Sequence, residues 1–195
     1  MANEEPDYEV LMQTDEYEIR HYEPYIVAEV DVDGGLRDSG GSAFRILAGY
    51  IFGNNQSAEK MEMTTPVETR PAESGTRMAM TAPVLSEPAG EQRYTYAFVM
   101  EQKYSLETLP VPNDPRIRIH KTEPRTVAVK RYSGLWTEKN YTQNEQALLK
   151  SLQQDNIRTD GEPMLARYNG PATPWFLRRN EVIVEVEWAE RHANR

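Results

Sequence analysis

The chain carries an echo of itself. Glu23-Pro24, followed by Val27-Ala28, returns as Glu123-Pro124 followed by Val127-Ala128, an offset of 100 positions (123 − 23). Ile117 and Ile119 stand where Tyr17 and Ile19 stand in the first copy, and a helical pattern follows each copy. Self-similarity at this spacing constrains a fold more than any single element does, because each copy must build the same unit and neither can bury its apolar face alone. The expectation is a pseudo-twofold α+β domain with halves at approximately 17–100 and 117–188.

Local patterns fill in each half. Tyr17 to Tyr22 alternates with period two and predicts a short strand, interrupted by Pro24. Ile26 to Val32 resumes it, with Ile26, Ala28, Val30 and Val32 on one face and Glu29 and Asp31 on the other. Ser42 is a candidate helix cap, and Phe44, Leu47, Ala48 and Ile51 then form a helical apolar stripe that Gly53-Asn54 ends. Two near-copies follow: Met61-Glu62-Met63-Thr64-Thr65-Pro66-Val67 and Met78-Ala79-Met80-Thr81-Ala82-Pro83-Val84. Each predicts a proline-ended strand, the two forming a hairpin-like pair with methionines turned into a barrel interior. A strand from Arg93 to Met100 and a proline-rich crossover from Tyr104 to Asp114 complete the half. The second half repeats the plan: a helix carrying Tyr141, Glu145, Leu148 and Leu152, a strand near Met164 to Tyr168, and a last strand from Glu181 to Trp188. That last strand alternates valines with Ile183, Glu185 and Glu187, which predicts one buried and one wet face.

Composition narrows the function classes. There is no cysteine, which removes disulfides, thiol chemistry, Cys-ligated zinc and iron–sulfur sites and fits a reducing, cytoplasmic compartment. The opening residues are polar and acidic, unlike a signal peptide, and no apolar run approaches a bilayer span. With 22 Lys plus Arg against 31 Asp plus Glu, the net charge is −9, the wrong sign for nucleic acid. A cationic ligand is electrostatically easier than an anionic one unless a local arginine patch reverses the field. No nucleophile-elbow serine, metal-binding histidine pair or phosphate-cradling glycine run is present, so the sequence shows no enzyme constellation.

Four motifs, in this order, resemble the SOUL heme-binding family: Tyr17-Glu18-Ile19-Arg20-His21-Tyr22; the Met61–Val67 and Met78–Val84 pair; Tyr132-Ser133-Gly134 before a helix; and Tyr168-Asn169-Gly170-Pro171 leading through Arg178-Arg179-Asn180-Glu181-Val182. The match covers about 7–188, leaving polar tails at 1–6 and 189–195. The resemblance implies a single domain: a distorted antiparallel β-barrel flanked by two helices, built from a duplicated β-α-β-β unit. It also implies binding of heme or another tetrapyrrole, for buffering, storage or transport. Related domains in bacterial regulators bind small hydrophobic cations, so a sensor or sequestering role is the alternative, and action on a porphyrin-like ligand a third.

Two binding modes follow from the resemblance. In one, a first-strand histidine ligates the iron, and the matching residue is His21; a neutral imidazole is a sound iron ligand. In the other, the ligand lies in an apolar groove near the first helix, which points to Phe44 and Leu47. Arginines would hold propionates: Arg20 or Arg45 beside the first strand and helix, or Arg178 and Arg179 after the apolar Trp175-Phe176-Leu177. Beside these stands the plainer alternative, in which His21 is an amphipathic-strand histidine and Arg178-Arg179 part of an exposed loop.

Overall fold

The computed structural model describes residues 4–56, 75–90, 93–170 and 172–188. The strands are β1 (Tyr8–Gln13), β2 (Glu18–Tyr22), β3 (Ile26–Asp33), β4 (Asn55–Gln56), β5 (Val84–Pro88), β6 (Arg93–Val99), β7 (Val111–Pro112), β8 (Arg118–Lys121), β9 (Arg125–Tyr132), β10 (Thr159–Arg167) and β11 (Asn180–Val186). Helix α1 spans Leu36–Ile51 and α2 spans Glu138–Gln154. Nine strands form one curled antiparallel sheet, in the order β1-β2-β9-β11-β10-β5-β6-β3-β8, and β4 pairs with β7. The helices flank this half-barrel. Among the described residues no helix is long and apolar enough to cross a membrane.

The duplication is visible in the register. Ile19 pairs with Ala128, and Ile119 pairs with Ala28. Each half therefore lends its first strand to the other half's second strand. Within the halves, β3-β6-β5 repeats as β9-β11-β10, and the halves join where β5 meets β10. Across that seam Ser86 faces Leu165. These two are themselves equivalent, since Ser86 pairs with Tyr96 and Leu165 with Val182. A pseudo-twofold axis must pass between them.

Three apolar clusters hold the layers. One places Leu47, Tyr50 and Ile51 of α1 against Ala28, Val30, Tyr96 and Phe98. The second places Leu148 and Leu152 of α2 against Ile19, Ala128, Val182 and Val184. The third, with Val127, Val129, Met164, Ala166 and Ile183, fills the face that the curled sheet turns inward. Burying one such aliphatic side chain contributes about 1.5–3 kcal/mol, so the two helix faces are comparable anchors.

Several expectations need correction. Ser42 does not cap α1, which starts at Leu36 after Gly35 with no side-chain cap. Packing against β3 and β6 holds the helix through Gly40 and Gly41 despite their weak propensity. Met78 to Val84 is not a strand; strand geometry begins at Val84. Its amides go elsewhere: Met78 donates to Ile51 O at 2.8 Å and Ala82 to Glu4 O at 2.9 Å, while Pro83 has no amide hydrogen to give. Met78 and Met80 pack beneath α1, on the helix-covered face and not inside the barrel. Met61 to Val67, and with it the predicted hairpin, lies outside the described residues. The last strand has no wet face over most of its length. Glu181 and Ile183 are buried as fully as the valines between them, because the face opposite α2 is the inward face of the curl.

Candidate functional site

The halves differ beside the seam. Helix α2 rests on β9, β11 and β10, whereas α1 rests mainly on β3 and β6. Between α1 and the seam lies a groove of about 420 Å³, within the usual range for small-molecule sites. Its walls are Gly40, Gly41 and Phe44 of α1, Tyr96 and Phe98 of β6, the Met80–Val84 segment, Trp136, and Arg167 to Gly170.

Local structure explains each wall. The two glycines bare the helix backbone. A Cβ at Gly41 would meet nothing within 4 Å, and one at Gly40 would meet only Tyr96 Oη at 3.5 Å and the Arg167 guanidinium at 3.7 Å. Tyr96 is fixed by hydrogen bonds with Ser39 Oγ and Leu36 O, both 2.9 Å. Trp136 reaches the groove from the turn before α2. Gly134 makes that turn at φ 125°, a conformation glycine adopts without penalty. The Trp136 indole donates to Asn180 Oδ1 at 2.9 Å. Phe44 meets Phe98 edge-on, with centroids 5.6 Å apart. The site is a flat-sided aromatic slot on rigid elements.

Among the described residues one charged side chain lines it, and it was not among the candidates read from the sequence. Arg167 makes no hydrogen bond or ion pair with any described residue, and its Nε is buried without a partner. Its contact is the Trp136 ring, 5.5 Å from Cζ. Burial lowers its pKa below the usual guanidinium value. Its only signal in the sequence was its place beside the Tyr168-Asn169-Gly170 motif.

Of the ligand-contact candidates His21, Arg20, Arg45, Phe44, Leu47, Arg178 and Arg179, Phe44 lines the groove and the others do not. Leu47 is wholly buried under α1. Arg45 is exposed, its Nε donating to Gly41 O. His21 lies on the same face as Tyr17 and Ile19, as its parity predicts, with Nδ1 3.0 Å from Thr126 Oγ1. Strands β9 and β11 separate its strand from β10, placing it roughly 14 Å from the groove's edge at the usual strand spacing. Trp175, Phe176 and Leu177 are exposed and do not line the groove.

Arg20, Arg178 and Arg179 act behind the walls. Arg20 faces inward and bonds Glu181 through both terminal nitrogens, at 3.1 and 3.4 Å. Burial works against its charge most strongly of any single influence, but Glu181, Tyr22 and Glu18 together outweigh it and its pKa is raised. Arg179 Nε donates to Glu181 at 2.9 Å, its Nη1 pairs with Glu5, and its guanidinium lies 3.7 Å from the Tyr168 ring centroid. Tyr168 Oη donates to Glu181 at 2.6 Å, and burial followed by the Glu181 charge raises its pKa. Arg178 stacks on Trp136, with Cζ 4.2 Å from the ring centroid. Two aromatic walls of the groove, Tyr168 and Trp136, are thus braced from behind by arginines.

A second cavity of about 450 Å³ lies near the amino-terminal arm, ringed by Glu4, Glu5, Asp7, Glu23, Glu101 and Glu107. Most of these carboxylates serve the fold: Glu4 accepts from the Gln102 amide, Glu5 holds Arg179, Asp7 accepts from Gln102 Nε2, and Glu101 accepts from the Ala79 amide and pairs with Lys103. Among the described residues no group of three or more His, Asp or Glu is placed to hold a metal.

The family model described as SOUL heme-binding protein matches residues 3–185. No curated protein matches the chain. Several solved structures share the fold. The C-terminal domain of EcmrR aligns with a TM-score of 0.62 at 10% identity, over 93% of this chain and 99% of that one. A hydrolase from Listeria innocua gives 0.56 at 12%, over 90% and 94%. SAV2435 bound to tetraphenylphosphonium gives 0.51 at 12%, over 91% and 97%. At such identities the likeness is one of fold, and function has to be argued from the site.

Proposed function

The chain belongs to the SOUL heme-binding protein family, and on that premise we propose that the groove between α1 and the β5–β10 seam binds heme or a related tetrapyrrole, for buffering or carriage. The observation that carries the reading is the slot itself: about 420 Å³ with flat walls from Phe44, Tyr96, Phe98 and Trp136, on elements that need not move to form it. A planar apolar macrocycle gains most from such walls, through area removed from water and ring stacking.

The lining supports binding over catalysis. Among the described residues it holds no carboxylate, imidazole or thiol, and the hydroxyls of Tyr96 and Tyr168 are committed to Ser39, Leu36 and Glu181. Met80 offers a thioether, a donor type that heme iron accepts. The groove fits the macrocycle better than the iron, so apolar contact supplies most of the affinity.

A visible-light titration with hemin tests this. Wild type should saturate with a shifted Soret band. Gly40→Leu, which fills the slot, should weaken binding ~10-fold or more, and His21→Ala should bind as wild type. The reverse pattern, loss with His21→Ala and none with Gly40→Leu, would move the ligand to β2.

A further inference from the structure

Arg167 is an anomaly among the interior cations. Arg20 has Glu181 and Glu18, Arg125 has Glu185 and the Tyr25 hydroxyl, and Arg179 has Glu181 and Glu5. Arg167 has none of these among the described residues; its buried Nε is unsatisfied, as is that of Arg125, but Arg125 has its Nη atoms paired and Arg167 does not. Arg167 is half-buried, and a guanidinium with a covered Nε and no anion beside it is costly, a deficit that a bound ligand can repair. The missing partner has an obvious place, because among the described residues Arg167 is the single ionised side chain facing the groove and no Asp or Glu lines it. The planar fork of a guanidinium matches a carboxylate through two parallel hydrogen bonds.

We propose that Arg167 is the anion anchor of the groove and makes it selective for flat apolar ligands that carry a carboxylate, against hydrophobic cations. The inference rests on the groove reading above and adds the charge of the ligand to it. It runs against the whole-chain charge of −9. Within the slot the half-buried guanidinium lies closer to the ligand, at lower dielectric, than the solvated surface acids do. The relative of the same fold solved with tetraphenylphosphonium holds a ligand of opposite sign. The selectivity assigned here therefore belongs to this chain's own lining.

Metal-free protoporphyrin IX and its dimethyl ester isolate the anchor, because they share the ring and differ in charge. Both would be titrated by tryptophan quenching against wild type, Arg167→Gln and Gly40→Leu, with tetraphenylphosphonium as competitor. Arg167→Gln should weaken the diacid ~10–100-fold and leave the ester within about 2-fold, and tetraphenylphosphonium should compete poorly with wild type and better with the variant. Its melting temperature should hold or rise, since an unpaired buried charge is gone. Equal effects on acid and ester, no effect on either, or a marked fall in melting temperature would each overturn the anchor while leaving the groove standing. If Gly40→Leu binds the diacid as wild type does, the groove reading fails and the anchor falls with it.

Discussion

The two helices repeat each other until one position. Leu47 and Ile51 of α1 and Leu148 and Leu152 of α2 are buried at the same i, i+4 spacing against equivalent strands. Counting back seven residues from Leu47 and Leu148 reaches Gly40 in α1 and Tyr141 in α2. Tyr141 packs into its cluster and sends its hydroxyl across to Pro163 O in β10, at 3.0 Å. Gly40 sends nothing toward β5. The closed half and the open half thus differ by the side chain at one place on the helix, and the groove is the volume that a tyrosine would have filled. A duplicated fold can keep one copy as scaffold and hollow out the other.

The largest test of this asymmetry lies on the inward face. Glu181 of β11 is buried among Arg20, Arg179 and Tyr168, while the equivalent residue of β6, Thr95, bonds only to Asp31 Oδ1 at 2.8 Å. Removing the shared carboxylate leaves Arg20 only Glu18 and Arg179 only Glu5 as carboxylate partners among the described residues, and takes the acceptor from the Tyr168 hydroxyl, so Glu181→Ala should cost about 3–5 kcal/mol. Thr95→Val should cost ~1 kcal/mol, the value of one neutral hydrogen bond. Urea unfolding of both variants checks this, and similar costs at the two sites would deny that the second half is the better-tied one.

A smaller effect sharpens the helix comparison. Tyr141→Ala should destabilise by about 2–3 kcal/mol, less than a fully buried aromatic would, because the ring is only partly covered. Gly40→Ala should stabilise by ~0.5–1 kcal/mol, since alanine is the better helix former and its Cβ meets only ordinary contacts. Opposite signs at equivalent positions, read in thermal melts, are the expected outcome. A destabilised Gly40→Ala would mean that α1 sits closer to β6 than the groove requires.

The sequence disclosed the duplication, the two helices, the strands β2, β3, β6, β9, β10 and β11, and the faces of β3 and α2, because these follow from local periodicity and from the Glu-Pro echo, whereas β1 and β5 were not read from it. It did not disclose that the halves exchange first strands, since two edges with the same pattern accept either partner and tertiary register decides. The start of α1 was hidden because Gly34 to Gly41 reads as loop, and only packing makes a helix of its second part. In the site, Phe44 was legible as the edge of an apolar stripe, whereas Leu47, at the stripe's centre, faces the sheet. The parity of His21 was read correctly from β2, but parity cannot say which layer a face meets. Arg167 was invisible because what distinguishes it is the lack of a partner, a property of its surroundings and not of its neighbours in the chain.

The most direct test is an amide NMR titration with protoporphyrin IX, following which backbone signals move. The largest shifts are expected at Gly40, Gly41 and Phe44, at Ala82 and Val84, at Trp136 and at Arg167 to Gly170, with β2 and the acidic cavity around Glu101 to Glu107 silent. Shifts centred on Ile19 to Tyr22, with the glycines of α1 unmoved, would contradict the groove reading.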